Sequence, residues 1–187
     1  MKIGTHNSMS YLPPKKWYIY PFRFIARCQS KTIKEQYEKY GARMFDLRIA
    51  FDKNGTPEFR HGIMRYKGDV YSVLEYLNSL QDKIYIRLTL ETRKQSDIQE
   101  EVFIAFCSEV ERNYPYLKFF NGTRKYDWKK LYTFKTKEPS ITQLTSSMTW
   151  KIWDDWYPWI YARIMNKRNI TNYKKKGWLL VDFINMQ

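Results

Sequence analysis

The chain has 187 residues, with 33 Lys or Arg against 19 Asp or Glu, a formal net charge of +14. Hydrophobic residues make up 43% and aromatic residues 18%, enough to build a sizeable core, which excludes wholesale disorder. No run approaches the roughly 20 apolar residues of a membrane-spanning helix, and no charged start followed by an apolar stretch marks a signal peptide.

Taken in chain order, Lys2-Ile3-Gly4-Thr5 reads as the end of a short strand. Residues 11–29 are aromatic and broken by Pro13-Pro14 and Pro21, which predicts a loop. Ser30 is placed to cap a helix over 31–40 that ends at Gly41. Residues 43–51 read as a strand, and Asn54-Gly55 turns the chain back into a short antiparallel strand from Glu58 to His61. Asp69 caps a helix over 70–80 whose apolar stripe is Val70, Val73, Leu74, Leu77 and Leu80. The alternation Ile84, Ile86, Leu88, Leu90 marks a strand over 83–91, and Ser96 caps a helix over 97–112. Beyond Pro115, strand-like pieces fall near 117–120, 131–134 and 141–148, a helix over 156–167, and a final buried strand over 178–184.

Strand–helix alternation predicts an α/β fold with a parallel sheet, in a single domain spanning 1–187. A closed eightfold barrel takes about 250 residues, so a barrel here has trimmed helices or missing units. Cys28 and Cys107 sit among apolar neighbours, too few for a disulfide framework and without zinc-site spacing, and read as buried thiols. The compartment stays open between the cytoplasm and export behind a leader not included in the sequence.

The positive charge points to an anionic partner such as nucleic acid, an anionic membrane surface or a phosphorylated small molecule. No helix-turn-helix, zinc or RNA-module signature is present, so nucleic acid is not the expected one. Trp150, Trp153, Trp156 and Trp159 could seat the chain on an anionic interface, although core and rim packing is the simpler reading of them.

The two histidines, His6 and His61, each lie where a strand meets a turn. Asp46 and Arg48 share one face of their strand, Glu91 closes the next, and Asp182 lies in an otherwise apolar strand where a carboxylate is costly without a partner. Gathered at one end of a barrel, these groups would suit phosphodiester cleavage. One imidazole is the general base, the other the general acid, and the guanidinium neutralises charge on the phosphoryl oxygens.

The ordered set Gly4-Thr5-His6-Asn7-Ser8, Tyr40 to Arg48, Phe59-Arg60-His61-Gly62, Leu88 to Glu91 and Gly177 to Asn185 resembles the bacterial phosphatidylinositol-specific phospholipases C. The likeness covers residues 3–93 and 177–185 and is poor over 116–170. It implies a distorted, compact TIM-type (β/α) barrel and cleavage of phosphatidylinositol-type phosphodiesters. In that reading His6 takes the proton from the inositol 2-hydroxyl, His61 protonates the departing diacylglycerol oxygen, Arg48 flanks the phosphate, Asp182 orients the base, and Asp46 supports from behind. Asn7 stands where the bacterial enzymes usually have Asp. An amide orients His61 without stabilising its charged form, so the His61 pKa is expected to be low. Asn7, Asp46 and Glu91 would be the ligands if calcium were used, as in the eukaryotic relatives. Arg48 instead occupies a position that is acidic in the calcium enzymes, and the expectation is that Glu91 pairs with Arg48 and no metal is needed. The alternative to an enzyme is a catalytically weak or inactive barrel relative that binds phosphoinositide or an anionic membrane.

Overall fold

The computed structural model describes residues 2–91, 97–122, 132–145, 157–173 and 176–186. Its strands are β1 (Lys2–Thr5), β2 (Met44–Phe51), β3 (Pro57–His61), β4 (Met64–Arg65), β5 (Ile84–Leu90), β6 (Leu117–Asn121), β7 (Ile141–Leu144) and β8 (Trp178–Val181). Six of them run parallel in the order β6-β5-β2-β1-β8-β7, and the sheet curls into an open, distorted barrel. β3 pairs antiparallel to the far end of β2, and β4 to β3, so the hairpin expected at Asn54-Gly55 carries His61 back toward the barrel.

Helices cover the outside. They are α1 (Arg23–Ala26), α2 (Ile33–Glu38), α3 (Val70–Ser79), α4 (Asp97–Asn113) and α5 (Pro158–Thr171), with a 3-10 turn at Trp17–Phe22. None of the described helices is long and apolar enough to cross a membrane. The larger core lies between sheet and helices, where Phe45, Leu47 and Ile49 of β2 and Ile84, Ile86 and Leu88 of β5 meet Leu74, Leu77, Phe103 and Phe106. Both cysteines are buried and free, as expected.

Side chains of a strand alternate between faces, so the same strands send a second set into the barrel. Met44, Phe120, Trp178 and Leu180, with Tyr85 and Ile141, form a separate apolar floor there. Gly4 belongs to this floor: a Cβ on it would lie 2.8 Å from the Met44 Cβ and 3.1 Å from Leu180 Cδ1. Only glycine lets β1 and β2 approach this closely over a filled barrel bottom.

Several boundaries differ from expectation. Thr32, not Ser30, caps α2, because Thr32 and Glu35 complete a reciprocal capping box. The segment 11–29 is not all loop, since it holds the 3-10 turn and α1. Among the described residues 132–134 there is no strand. The last strand stops at Val181, so Asp182 lies just beyond it rather than within it. Ser96 and the tryptophans at 150, 153 and 156 lie outside the described residues. Trp159 is 45% exposed and not core.

Candidate active site

In five of the six parallel strands the residue two positions beyond the apolar floor stands at the carboxyl-end mouth of the barrel. His6 follows Gly4, Asp46 follows Met44, Arg87 follows Tyr85, Gln143 follows Ile141 and Asp182 follows Leu180. Period-two alternation thus stacks a polar layer on an apolar one, and Arg48, Thr89 and Glu91 continue it outward.

His6 is buried, and its two ring nitrogens have different partners. Nδ1 lies 2.7 Å from Asp182 Oδ1, and Nε2 lies 2.6 Å from Arg48 Nη2. A guanidinium can only donate, so Nε2 accepts, and the proton of the neutral ring sits on Nδ1 and is donated to Asp182. The carboxylate therefore fixes the tautomer that leaves Nε2 basic. Asp182 is itself held through its backbone, whose carbonyl accepts from Asn166 Nδ2 at 2.6 Å. Gln29 ties the same region together by donating to the carbonyls of His6 (3.2 Å) and Val181 (2.9 Å) and accepting from Ile184 N at 3.1 Å.

Arg48 is shared three ways. Besides meeting His6, it donates from Nε to Asp46 Oδ2 at 3.1 Å and from Nη1 to Glu91 Oε1 at 2.7 Å. The expected Arg48–Glu91 pair is therefore present, and both carboxylates named as calcium ligands are already engaged by a fixed cation. Asp46 is fully buried. Burial alone would push its carboxyl up, but Arg48 and Arg87 hold it well below the usual carboxylate range, helped by the Asn7 backbone amide at 3.0 Å. Against its own burial, Arg48 is raised by Asp46 and Glu91.

His61 joins the cluster through Asn7, whose Nδ2 donates to His61 Nδ1. The same amide nitrogen reaches the Ala26 carbonyl at 3.3 Å. Asn7 takes a left-handed backbone, φ 43°, a conformation that Asn and Asp tolerate better than other side chains. With Nδ1 accepting, neutral His61 carries its proton on Nε2. Burial, and after it the positive charge of Arg48, push its pKa well below the ordinary histidine value of 6.5. The low pKa expected for His61 is thus present, with burial as its largest cause.

The candidate site residues His6, Asn7, Asp46, Arg48, His61, Glu91 and Asp182 all meet here. Two that the sequence did not single out are Arg87 and Thr89. Arg87 Nε lies 3.9 Å from Asp46 Oδ1, while Nη1 donates to Gln143 Oε1 and Nη2 to the Gly122 carbonyl, each at 3.1 Å. Thr89 Oγ1 donates to Asp46 Oδ1 at 3.3 Å. Gly122 makes room for both, since a Cβ there would lie 2.3 Å from Thr89 Oγ1. The signal was in the strand itself. Tyr85, Arg87, Thr89 and Glu91 are the phase opposite the apolar Ile84-Ile86-Leu88-Leu90 set, and that phase faces the barrel.

If His61 must be charged to act as an acid, its rate contribution falls as pH rises through its depressed pKa. Asn7→Asp replaces a donor by an anion at Nδ1 and raises that pKa. One unit corresponds to about tenfold more imidazolium above the pKa. The descending limb of the pH–rate profile of Asn7→Asp should move upward, with about a tenfold gain at neutral pH. The depressed pKa also stabilises the fold only above the ordinary histidine range and is lost as pH falls through the folded value. The acid destabilisation should therefore shrink in the same variant, read by thermal melts between pH 4 and 8.

No protein-family model and no curated protein sequence matches the chain. Solved structures do. A variant of the phosphatidylinositol-specific phospholipase C from Staphylococcus aureus superposes with a TM-score of 0.64 at 16% identity, over 97% of this chain and 84% of that one. The phosphatidylinositol-specific phospholipase C from Listeria monocytogenes gives 0.62 at 15% identity, over 97% and 87%. At that identity the likeness speaks for architecture, and the chain has the distorted-barrel fold of the bacterial phosphatidylinositol-specific phospholipases C.

Proposed function

We propose that the protein is a phosphodiesterase of the phospholipase C type, cleaving phosphatidylinositol or a closely related phosphodiester by intramolecular attack. The observation that carries this reading is the state of His6. Its Nδ1 is committed to a buried carboxylate, and its basic Nε2 points at a guanidinium that also bridges two acids. A binding-only site needs cations but has no use for a base held in one tautomer.

The steps follow from the donors. An anionic phosphoryl group entering the mouth competes for Arg48, drawing Nη2 from His6 and freeing the Nε2 lone pair. His6 Nε2 takes the proton of the inositol 2-hydroxyl, whose oxygen attacks phosphorus. Charge growing on the non-bridging oxygens is stabilised by Arg48. His61 enters the step as the imidazolium, protonated on both ring nitrogens, and the bond to the diacylglycerol oxygen breaks as that oxygen receives its Nε2 proton. The products are a 1,2-cyclic phosphate and diacylglycerol, with His6 charged and His61 neutral. Proton exchange with water then restores both rings.

Arg48 supplies the positive charge that a divalent ion would otherwise bring, and it would repel such an ion. Turnover on phosphatidylinositol vesicles, followed as diacylglycerol release, should be unchanged by excess chelator. Activity that appears only when calcium is added would overturn the metal-independent mechanism.

A further inference from the structure

The mechanism leaves one buried nucleophile unused. Cys28 lies beside the catalytic base, its Sγ 3.8 Å from Asn7 Nδ2 and 3.8 Å from the Ala26 carbonyl oxygen. His6, Cys28 and Asp182 each place a ligand atom within 4.8 Å of the other two, and all three are buried. They come from distant stretches of chain: the turn after β1, the stretch just after α1, and the turn after β8. Backbone contacts hold the thiol where it is. Cys28 N donates to Ser10 Oγ at 2.9 Å, and the Cys28 carbonyl accepts at 2.6 Å from Phe183 N, next to Asp182. Cys107 is the contrast. It packs in the larger apolar core, and among the described residues it belongs to no such group.

Thiolate, imidazole and carboxylate together are a donor set for zinc(II) and its heavier congener cadmium. Calcium and magnesium ask instead for six or more oxygens. Tetrahedral zinc, with bonds of about 2.0 to 2.3 Å, holds its ligand atoms about 3.3 to 3.6 Å apart. His6 Nδ1 and Asp182 Oδ1 are 2.7 Å apart, and no gap in the group exceeds 4.8 Å. Side-chain rotations that move atoms by about 1 Å therefore form the site. Burial, and after it the charge of Asp182, push the Cys28 thiol well above its usual range, so a metal must displace the proton that the thiol holds at neutral pH. Arg48 does not stand in the way. It meets the ring at Nε2, whereas Asp182 is at Nδ1, and two anionic ligands offset its charge.

We propose that His6 Nδ1, Cys28 Sγ and the Asp182 carboxylate bind one zinc(II) ion, and that this ion switches the catalytic base off. Zinc bonds to Nδ1 and to Sγ. The thiol proton leaves to water, and the ring proton moves from Nδ1 to Nε2. Nε2 then has no lone pair with which to take a proton from the substrate hydroxyl. Arg48 Nη2 turns away from the new donor, while Nε and Nη1 keep Asp46 and Glu91. The metal thus reverses the tautomer that Asp182 fixes in the free protein. Metal uptake does not depend on turnover, whereas the inhibition rests on the phosphodiesterase reading.

The test is titration of the reduced, metal-free protein with cadmium, followed by the ultraviolet charge-transfer band of a cadmium–thiolate bond. The wild type and Cys107→Ala should each develop the band at about one cadmium per chain, with release of about one proton. Cys28→Ser should not develop it. Asp182→Asn keeps the thiol, so it should show the band but need at least about tenfold more cadmium. That variant decides the matter if Cys28→Ser fails to fold. A band that survives Cys28→Ser, or one that Asp182→Asn leaves unshifted, would overturn the site. On phosphatidylinositol vesicles zinc should inhibit the wild type, and the same concentration of calcium or magnesium should not. Against its own metal-free rate, Cys28→Ser should need at least about tenfold more zinc for half-inhibition. Equal potency in the two proteins would place the inhibitory zinc elsewhere and overturn the switch. A cadmium band in a protein that turns nothing over would sustain the metal site while the phosphodiesterase reading fails, and turnover without a band would do the reverse.

Discussion

Replacing His6 by Ala should lower turnover on phosphatidylinositol by about 10² to 10⁴-fold, and His61→Ala should do the same for substrates whose leaving group needs a proton. The two losses have different signatures. Without His6 the attacking hydroxyl keeps its proton, so every substrate suffers, whatever its leaving group. Without His61 an activated leaving group, such as a phenolate of low pKa, departs unaided, and such a substrate should recover most of the lost rate. His6→Ala also removes a hydrogen-bond partner of the Asp182 carboxylate, which is wholly buried. Thermal melts must therefore accompany the rates, and Asp182→Asn serves as the milder companion. It keeps the volume and abolishes the preference for the Nδ1-protonated ring, so it should slow turnover with much less loss of stability. Rates within about twofold of wild type in both histidine variants would refute the acid–base assignment.

Arg48→Lys is the second large effect. A lysine keeps the charge but offers a single rotating ammonium where the guanidinium reaches Asp46, Glu91 and His6 at once, at 3.1, 2.7 and 2.6 Å. That geometry depends on a planar fork. The expected loss in kcat is about 10²-fold, the scale seen when a preorganised donor to a developing oxyanion is removed. KM should change far less, because general attraction of the anionic substrate survives. An unchanged kcat with a raised KM would mean that Arg48 only gathers substrate and does not stabilise the transition state.

The sequence showed much of this arrangement because the floor-then-mouth order is written in strand alternation. Met44-Phe45-Asp46-Leu47-Arg48 and Leu180-Val181-Asp182 each carry an apolar residue inward and then a charge two positions on. Helix α3 was equally plain, since Asp69 caps it by accepting from Ser72 N. What alternation could not reveal was distance across the barrel. Alternation puts Arg87 on the phase of Tyr85, Thr89 and Glu91, but only the closeness of β5 to β7 shows it meeting Gln143 at 3.1 Å. Gln29 and Asn166 escaped for the same reason. Each anchors the backbone around Asp182 from a distant stretch of chain, and nothing in its neighbours marks the contact. Caps failed where two hydroxyl residues compete. Ser30 and Thr32 both suit the start of α2, and the choice falls to the one with Glu three residues on.

The most direct test of two imidazoles and one guanidinium working on a single phosphorus is phosphorus NMR of phosphatidylinositol vesicles incubated with the protein and chelator. The mechanism predicts the downfield resonance of a five-membered cyclic phosphate growing as the lipid signal falls, and its absence with His6→Ala. A monophosphate formed from the outset with no cyclic intermediate, or a lipid signal that never declines, would contradict it.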